Sequence, residues 1–115
     1  MLKDGVVLEN DEGKVTVNQH SFCELIKHLL VHYAGASYAE ASKLVDGSHL
    51  AEPIADAMSA CLFSHEYPYF WAMSLYYGGM YWEKGIPAQP EDMDAYFRLE
   101  DEIIRRYNLR EPFEF

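Results

Sequence analysis

The stretch that decides the fold class is Gln19-His-Ser-Phe-Cys-Glu-Leu-Ile-Lys-His-Leu-Leu-Val-His-Tyr33. Its apolar residues recur at the i, i+3, i+4 and i+7 positions that form one face of an α-helix. They are Phe22, Leu25, Ile26, Leu29, Leu30 and Tyr33. The pattern predicts a helix over residues 19–33. Asn18 is its expected N-cap, because asparagine is a favoured capping residue, and Ala34-Gly35-Ala36 breaks the pattern.

A second, shorter helix is predicted over residues 38–45. Ser37 and Glu40 have the spacing of a capping box, in which each side chain accepts a hydrogen bond from the other residue's exposed N–H group. Asp46-Gly47 follows, and Gly47 is able to take the left-handed conformation that ends many helices.

A third helix is predicted over residues 50–63, with Ser48 as its cap and Pro53 in its first turn, where proline is tolerated. Four apolar residues share one face of this helix. They are Ile54, Met58, Cys61 and Leu62. Four alanines, Ala51, Ala55, Ala57 and Ala60, allow a neighbouring helix to approach closely.

Proline marks the start of each of the last two helices, as suits a first helical position. The fourth runs from Pro68 to Tyr77 and stops at Gly78-Gly79, with one further turn at residues 80–82. The fifth starts at Pro90. Its first turn carries Glu91, Asp92 and Asp94, and its far end carries Arg105 and Arg106; both signs of charge suit the helix dipole. Its apolar stripe is Met93, Tyr96, Phe97, Ile104 and Tyr107.

The two ends of the chain are less regular. Residues 1–17 contain two short apolar runs around a polar, glycine-containing turn, which predicts a short β-hairpin or irregular structure. Residues 108–115 form a tail that either packs back or stays mobile. We therefore predict a mainly α protein, a compact bundle of about five helices with a short N-terminal hairpin, folded as a single domain over residues 1–115.

Composition restricts the classes of function. The net charge is −10, from 19 acidic and 9 basic residues, which argues against nucleic acid and anionic membranes as partners and favours a basic protein. No apolar stretch is long enough to span a bilayer, and no signal peptide is visible. The two cysteines, Cys23 and Cys61, are too few for a disulfide framework. These features predict a cytoplasmic protein with reduced thiols.

Histidines four residues apart on the first helix raise the question of a metal site. The set is His20, Glu24, His28 and His32. Pairs with this spacing share a helix face, as zinc ligands often do. Most of the set lies opposite the apolar stripe, and no second motif completes a coordination sphere. We therefore predict no metal and no cofactor, and name His28 and His32 as the residues to test for the alternative, a small-ligand or metal site.

Catalytic groups are equally hard to assemble. Cys61 and His65 have a suitable spacing, but residues 44–83 contain no lysine or arginine to stabilise a thiolate. Glu100 falls inside the apolar stripe of the fifth helix. It is expected to reach solvent or an arginine at the helix edge, and the alternative is a buried carboxylate that awaits a partner. We predict that the protein is not an enzyme.

The most unusual segment is residues 65–82, which hold eight of the 17 aromatic residues. Such a helix is normally the buried centre of a bundle. Several tyrosine hydroxyls must nevertheless find partners or water, and aromatic residues beside carboxylates are typical of protein-binding surfaces. The candidate contact residues are Tyr67, Tyr69, Tyr76, Tyr77, Tyr81 and Trp82, with an acidic rim of Glu66, Glu83, Glu91, Asp92 and Asp94.

In its general profile the chain resembles bacterial immunity proteins and antitoxins, which are small, acidic proteins that bind basic toxins through carboxylate and aromatic side chains. The resemblance is one of composition and assigns no residue. It implies a non-enzymatic protein that binds and neutralises a basic partner. The other hypotheses are a structural homodimer built on the aromatic residues of the fourth helix and a ligand-binding protein that uses the histidines of the first.

Overall fold

The computed structural model describes residues 2–115 and contains five α-helices, a three-stranded sheet and two 3₁₀ turns. The helices are α1 (Gln19–Ala34), α2 (Tyr38–Asp46), α3 (Ala57–Ser64), α4 (Pro68–Tyr77) and α5 (Met93–Arg106). The strands are β1 (Val6–Asn10), β2 (Gly13–Val17) and β3 (Phe113–Glu114), and the 3₁₀ turns are His49–Ala51 and Tyr81–Lys84. The predicted helical bundle and N-terminal hairpin are both confirmed.

The helix at the centre of the molecule is α1, and the expectation that the aromatic fourth helix takes this place is wrong. Nine of the 16 residues of α1 are buried, whereas α4 buries only Tyr69, Ala72 and Met73. The reason is that α1 packs against α2, α4 and α5 together. Its predicted apolar stripe supplies five of the 15 buried residues of the main core, to which Tyr81 and Tyr96 add their rings.

Buried polar side chains at the start of α1 hold both ends of the chain. Asn18 is the N-cap residue of α1, as predicted, but its side chain is fully buried and makes no capping hydrogen bond. Its Oδ1 accepts a hydrogen bond from the Gly5 N–H at 2.7 Å. Its Nδ2 donates to the Glu111 carbonyl at 2.6 Å and to Glu114 Oε2 at 2.9 Å. The amide therefore joins the N-terminal arm and the C-terminal tail to α1.

Gln19, the next residue, determines where the third helix begins. Its Nε2 donates to the carbonyls of Leu50 (2.9 Å) and Glu52 (2.6 Å), and its Oε1 accepts from the Ile54 N–H at 2.9 Å. These bonds hold residues 52–56 out of helical conformation. Helix α3 consequently starts at Ala57, seven residues later than predicted.

Separate caps serve the two parts of this segment. Ser48 caps only the 3₁₀ turn, through the Leu50 N–H, and Asp56 caps α3 by accepting from the Ser59 N–H at 2.8 Å. The predicted apolar face of this helix is also wrong, since Met58 is 69% and Leu62 is 64% exposed. The buried face is made of alanines.

The sheet explains why small residues are buried in α3. Strands β1, β2 and β3 are antiparallel, and Val17 lies opposite Phe113, so the C-terminal tail packs back as the third strand. The inner face of β2, Val15 and Val17, packs on Ala57 and Ala60 in a second, smaller core. The alanines do allow close approach, although the element that approaches is a sheet and not a helix.

The ends of α2 and α4 agree with the predictions except at one glycine. The Ser37–Glu40 capping box is formed. Pro68 occupies the first turn of α4, and Gly78, with φ of 95°, ends it. Gly47 has φ of −89° and so does not adopt the left-handed conformation.

Helix α5 starts at Met93 and not at Pro90. Asp92 is its N-cap and accepts from the Ala95 N–H at 3.1 Å, so only Asp94 of the three predicted acidic residues lies in the first turn. Its buried residues are Tyr96 and Ile103, while two members of the predicted stripe, Phe97 and Tyr107, are exposed. The predicted arginines do lie in the last turn.

Replacing Asn18 should destabilise the protein strongly, because its side chain joins three separate segments. We expect Asn18→Ala to lower the free energy of unfolding by about 3 kcal/mol, because three hydrogen bonds that reach distant segments are lost together. Urea denaturation measures this. Asn10→Ala, which removes only a local turn hydrogen bond to the Glu12 N–H, is the control and should have a much smaller effect. Equal effects would show that Asn18 does not tie the chain ends together.

Candidate functional site

Two of the predicted contact residues belong to the core. Tyr69 is 3% exposed and Tyr81 is fully buried. Their hydroxyls donate to the carbonyls of Pro87 (2.8 Å) and Ala88 (2.6 Å). Both tyrosines therefore hold the proline-marked loop against α4, and Tyr81 is not accessible to a partner.

The remaining predicted residues lie at the surface, but the structure does not gather them into one patch. Exposed members are Glu66, Tyr67, Tyr76, Trp82, Glu83, Glu91, Asp92 and Asp94, and Tyr77 is half-buried. Two concave sites divide several of them. Glu66 and Tyr67 line one site, named here the Glu100 cleft. Tyr69, Tyr77, Glu91 and Asp92 line the other, named here the tyrosine recess.

The Glu100 cleft is a cavity of about 230 Å³ with aromatic walls and acidic residues. It is bounded by the core residues Phe22 and Leu25, by the start of α4 at Glu66-Tyr67-Pro68, by Glu100 of α5 and by the tail. An apolar cavity of about 150 Å³ accommodates benzene. The Glu100 cleft is therefore large enough to admit one long amino-acid side chain.

Glu100 is half-buried and forms no ion pair with an arginine among the described residues, so the alternative expectation, a buried carboxylate that awaits a partner, fits it better than the first. Its Oε2 is buried and has no hydrogen-bond partner among the residues that the structure describes. Burial raises the pKa of its carboxyl, and the charges of Glu111 and Asp101 raise it further, while the Tyr96 hydroxyl opposes them. Perturbed carboxyls in clefts are frequent at functional sites.

Three carboxyl groups, those of Glu66, Glu100 and Glu111, line this one cavity, and none of its described lining residues is a lysine, arginine or histidine. Tyr67 is 42% exposed, and its ring lies edge-on to that of Phe97 at 5.8 Å. Phe115, 75% exposed, stands on the tail side of the cleft. The arrangement offers carboxylate charge and aromatic surface to the same occupant, which is the chemistry that accepts a cation.

Sequence reasoning missed the contribution of the tail to this cleft. Glu111, Phe113 and Phe115 reach it because β3 pairs with β2 and because Asn18 holds the Glu111 carbonyl. The alternation Phe113-Glu-Phe115 was the only signal, since one-in, one-out spacing suits a strand. It gave no indication of which strand would be the neighbour.

The histidines of α1 have other contacts. The His28 ring stacks on that of Tyr107 at 3.8 Å and lies 5.2 Å from that of Tyr38, and burial lowers its pKa. His32 is exposed beside Tyr33. Within residues 2–115, no three histidine, cysteine, aspartate or glutamate side chains are close enough together to hold a metal ion.

Glu24, the acidic member of the set on α1, forms an ion pair. Its carboxylate lies 2.8 Å from the Lys27 ammonium and accepts a hydrogen bond from the Tyr38 hydroxyl. Burial would raise the pKa of Glu24, but these two partners outweigh burial and lower it. Lys27 also lies 3.1 Å from Asp46, which joins α1 to α2.

The thiols form no nucleophilic pair. His65 Nδ1 contacts the backbone carbonyl of Cys61, at 2.9 Å, and not its sulfur. Cys23 is buried, donates to the Leu50 carbonyl at 3.2 Å, and has its pKa raised to about 12 by burial. Both cysteines are free.

No family model, curated protein or solved structure matches the chain. In the part of the chain that the structure describes, no helix has the length and apolar character needed to cross a membrane.

The burial of Glu100 should reduce stability in a pH-dependent way. Its carboxyl has a pKa of 4.5 in an unfolded chain and a higher one in the fold, so the folded state holds its proton to higher pH. Stability is lost as pH rises through this window. We expect Glu100→Gln to raise the free energy of unfolding at pH 7 by about 1 kcal/mol, the typical effect of an unpaired buried acceptor.

This gain in the free energy of unfolding should vanish below pH 4.5, where the Glu100 carboxyl is protonated in both the folded and the unfolded state. Urea denaturation at several pH values measures it, and Glu102→Gln, an exposed change on the same helix, is the control. A gain that is independent of pH, or one matched by the control, would contradict the interpretation.

Proposed function

We propose that the protein is a non-enzymatic interaction protein that binds a basic protein partner, and that a lysine or arginine side chain of the partner enters the Glu100 cleft. One observation carries the proposal: Glu100 Oε2, a buried acceptor without a partner, belongs to a residue lining an aromatic-walled cavity. Two further carboxylates, Glu66 and Glu111, line the same cavity.

Energetic considerations support an incoming cation. A buried acceptor without a partner destabilises the free protein by about 1–3 kcal/mol. A guanidinium or ammonium group in the cleft supplies the missing hydrogen bond and offsets the repulsion between Glu100 and Glu111. The Tyr67 ring can contact the alkyl stem or the charged group of the partner's lysine or arginine. The net charge of −10 speeds the encounter with a basic partner.

Proton linkage distinguishes this proposal from general electrostatic attraction. The bound cation favours the ionised form of Glu100. In the free protein the pKa of Glu100 is raised, so its carboxyl keeps the proton to a higher pH than an ordinary glutamate does. Binding therefore displaces a proton. Affinity should rise with pH while Glu100 titrates in the free protein, and level off above that range.

A matched pair of short peptides tests the cleft without knowledge of the partner. An acetylated Gly-Arg-Gly amide should shift NMR signals of Tyr67, Glu100 and Phe115, and the same peptide with citrulline, the neutral isostere of arginine, should bind far more weakly. Glu100→Gln should weaken the arginine peptide by about 2 kcal/mol and abolish the dependence of its affinity on pH.

Glu102→Gln is again the control variant and should bind like the wild type. The same variant that stabilises the fold is thus expected to impair binding, a trade-off common at functional sites. Equal affinity for arginine and citrulline peptides would refute the cleft as a cation site.

The partner itself is sought by affinity capture at low salt followed by a salt gradient. Charge reversal of four exposed acidic residues, Glu83, Glu91, Asp92 and Asp94, should slow association with the captured protein and flatten its dependence on salt. Unchanged association rates would remove the electrostatic part of the proposal.

The specific form that we propose is an inhibitor of the immunity or antitoxin kind, which acts in the cytoplasm on a basic toxin. The two free cysteines agree with that location.

A second candidate function is a structural homodimer, favoured by exposed apolar side chains around the end of α4. Tyr76 is 39%, Met80 54% and Trp82 44% exposed. If they form a self-interface, the sedimentation coefficient should rise with protein concentration, and Trp82→Glu should keep the protein monomeric. A monomer at all concentrations would exclude this candidate and leave the first unaffected.

A further inference from the structure

The tyrosine recess is a separate cavity on which the proposed function does not depend. It measures about 360 Å³ and lies between the end of α1, one face of α4 and the loop that leads into α5. Tyr33, Tyr69 and Tyr77 line it together with the carboxylates of Glu91 and Asp92, and its other lining residues are apolar. It thus combines three aromatic rings with two anionic groups.

The rings of Tyr33 and Tyr69 form a corner. Their centroids are 5.1 Å apart and their planes meet at 82°. Because each ring carries negative electron density on its faces, perpendicular rings around a recess suit a positively charged guest. Aromatic sites of this kind bind cations without a directional hydrogen bond.

Several hydrogen-bonding groups of the recess already have partners. The Tyr69 hydroxyl donates to the Pro87 carbonyl at 2.8 Å, and Asp92 Oδ1 accepts from the Ala95 N–H at 3.1 Å. Burial is the main cause that raises the pKa of Tyr69, and the negative charge of Glu91 adds to the rise. Glu91 is exposed, so its charge acts on the tyrosine from the surface. The attraction for a cation therefore comes chiefly from rings and carboxylate charge.

No lysine, arginine or histidine is among the described residues that line the recess. The lysine next to it is Lys84, whose ammonium donates to the Tyr77 carbonyl at 2.5 Å at the end of α4. That contact uses the ammonium at the helix terminus, where the dipole favours it. The charged side chains among the described lining residues are those of Glu91 and Asp92, and both are acidic.

These observations decide between kinds of cation. A primary ammonium or a guanidinium needs several hydrogen-bond acceptors at once, and those of this recess are confined to the exposed carboxylates of Glu91 and Asp92 at its edge, while the rest of the lining is aromatic or aliphatic. A quaternary ammonium has no N–H groups to satisfy and presents methyl groups to the apolar lining. We propose that the tyrosine recess binds a quaternary ammonium group, seated against Tyr33, Tyr69 and Tyr77 and balanced by Glu91.

Choline and its neutral carbon isostere, 3,3-dimethylbutan-1-ol, test the proposal on the full chain by NMR titration. Choline should produce saturable shifts at Tyr33, Tyr77 and Ile86, and leave Tyr67 and Phe115 of the Glu100 cleft unchanged. The isostere should bind at least about fivefold more weakly, because it lacks the charge that the rings and Glu91 attract. Equal binding of the two, or no saturable shift with choline or the peptide described below, would overturn the proposal.

Two variants locate the site. Glu91→Gln and Tyr77→Leu should each weaken choline binding by about threefold or more, and Glu9→Gln, an exposed change on β1, should not. Both positions are partly or fully exposed, so the variants should fold, and their urea denaturation curves check this. Choline binding that survives both changes would overturn the assignment to this recess.

The source of the ammonium group is decided by a third arm. A short peptide with trimethyllysine is compared with the same peptide carrying unmodified lysine. Preference for the trimethylated peptide over both unmodified peptide and choline indicates a methylated protein side chain as the ligand, and preference for choline indicates a free small molecule. If the peptide with unmodified lysine binds more tightly than both the trimethyllysine peptide and choline, the proposal is wrong. The separate proposal for the Glu100 cleft, which the arginine and citrulline peptides test, would still stand.

Discussion

The buried amide side chains of Asn18 and Gln19 are the constraint on which the rest of this structure depends. Together they make six hydrogen bonds, which reach the N-terminal arm, the 50–54 segment and the C-terminal tail. Each bond satisfies a group that is otherwise buried without a partner, which is costly in a protein interior. Two adjacent residues at the start of the central helix thereby position the N-terminal arm, the segment that precedes α3 and the C-terminal tail.

The candidate site follows from that constraint. Because Asn18 holds the Glu111 carbonyl, the tail closes one side of the cleft and brings a second carboxylate near Glu100. A fold optimised only for stability would place an apolar residue at position 100, among the core residues that surround it. In the function that we propose, this carboxyl destabilises the free protein and contributes only when a cation binds, so stability and binding would be opposed at one side chain.

How much was predictable varies from element to element for a physical reason. The Ser37–Glu40 box, Pro68 at the start of α4 and the glycine at its end were read correctly, because each involves neighbours within one turn of chain. The start of α3 was misread by seven residues, since Gln19, more than 30 positions away, competes for its backbone groups. The spacing of apolar residues identified the stripe of α1 but gave no sign that Ser21 and Lys27, outside that stripe, are buried, because spacing does not reveal how many elements pack around a helix.

The sequence by itself determined the helical class, the hairpin, the acidity and the segments rich in tyrosine, all of which are properties of composition or of local spacing. Only the tertiary structure decided which tyrosines face the core, that Phe113 pairs beside Val17, and that Glu100 lacks a partner. Burial and pairing depend on which distant segments meet. That choice is made by the packing free energy of the whole chain, which no local pattern contains.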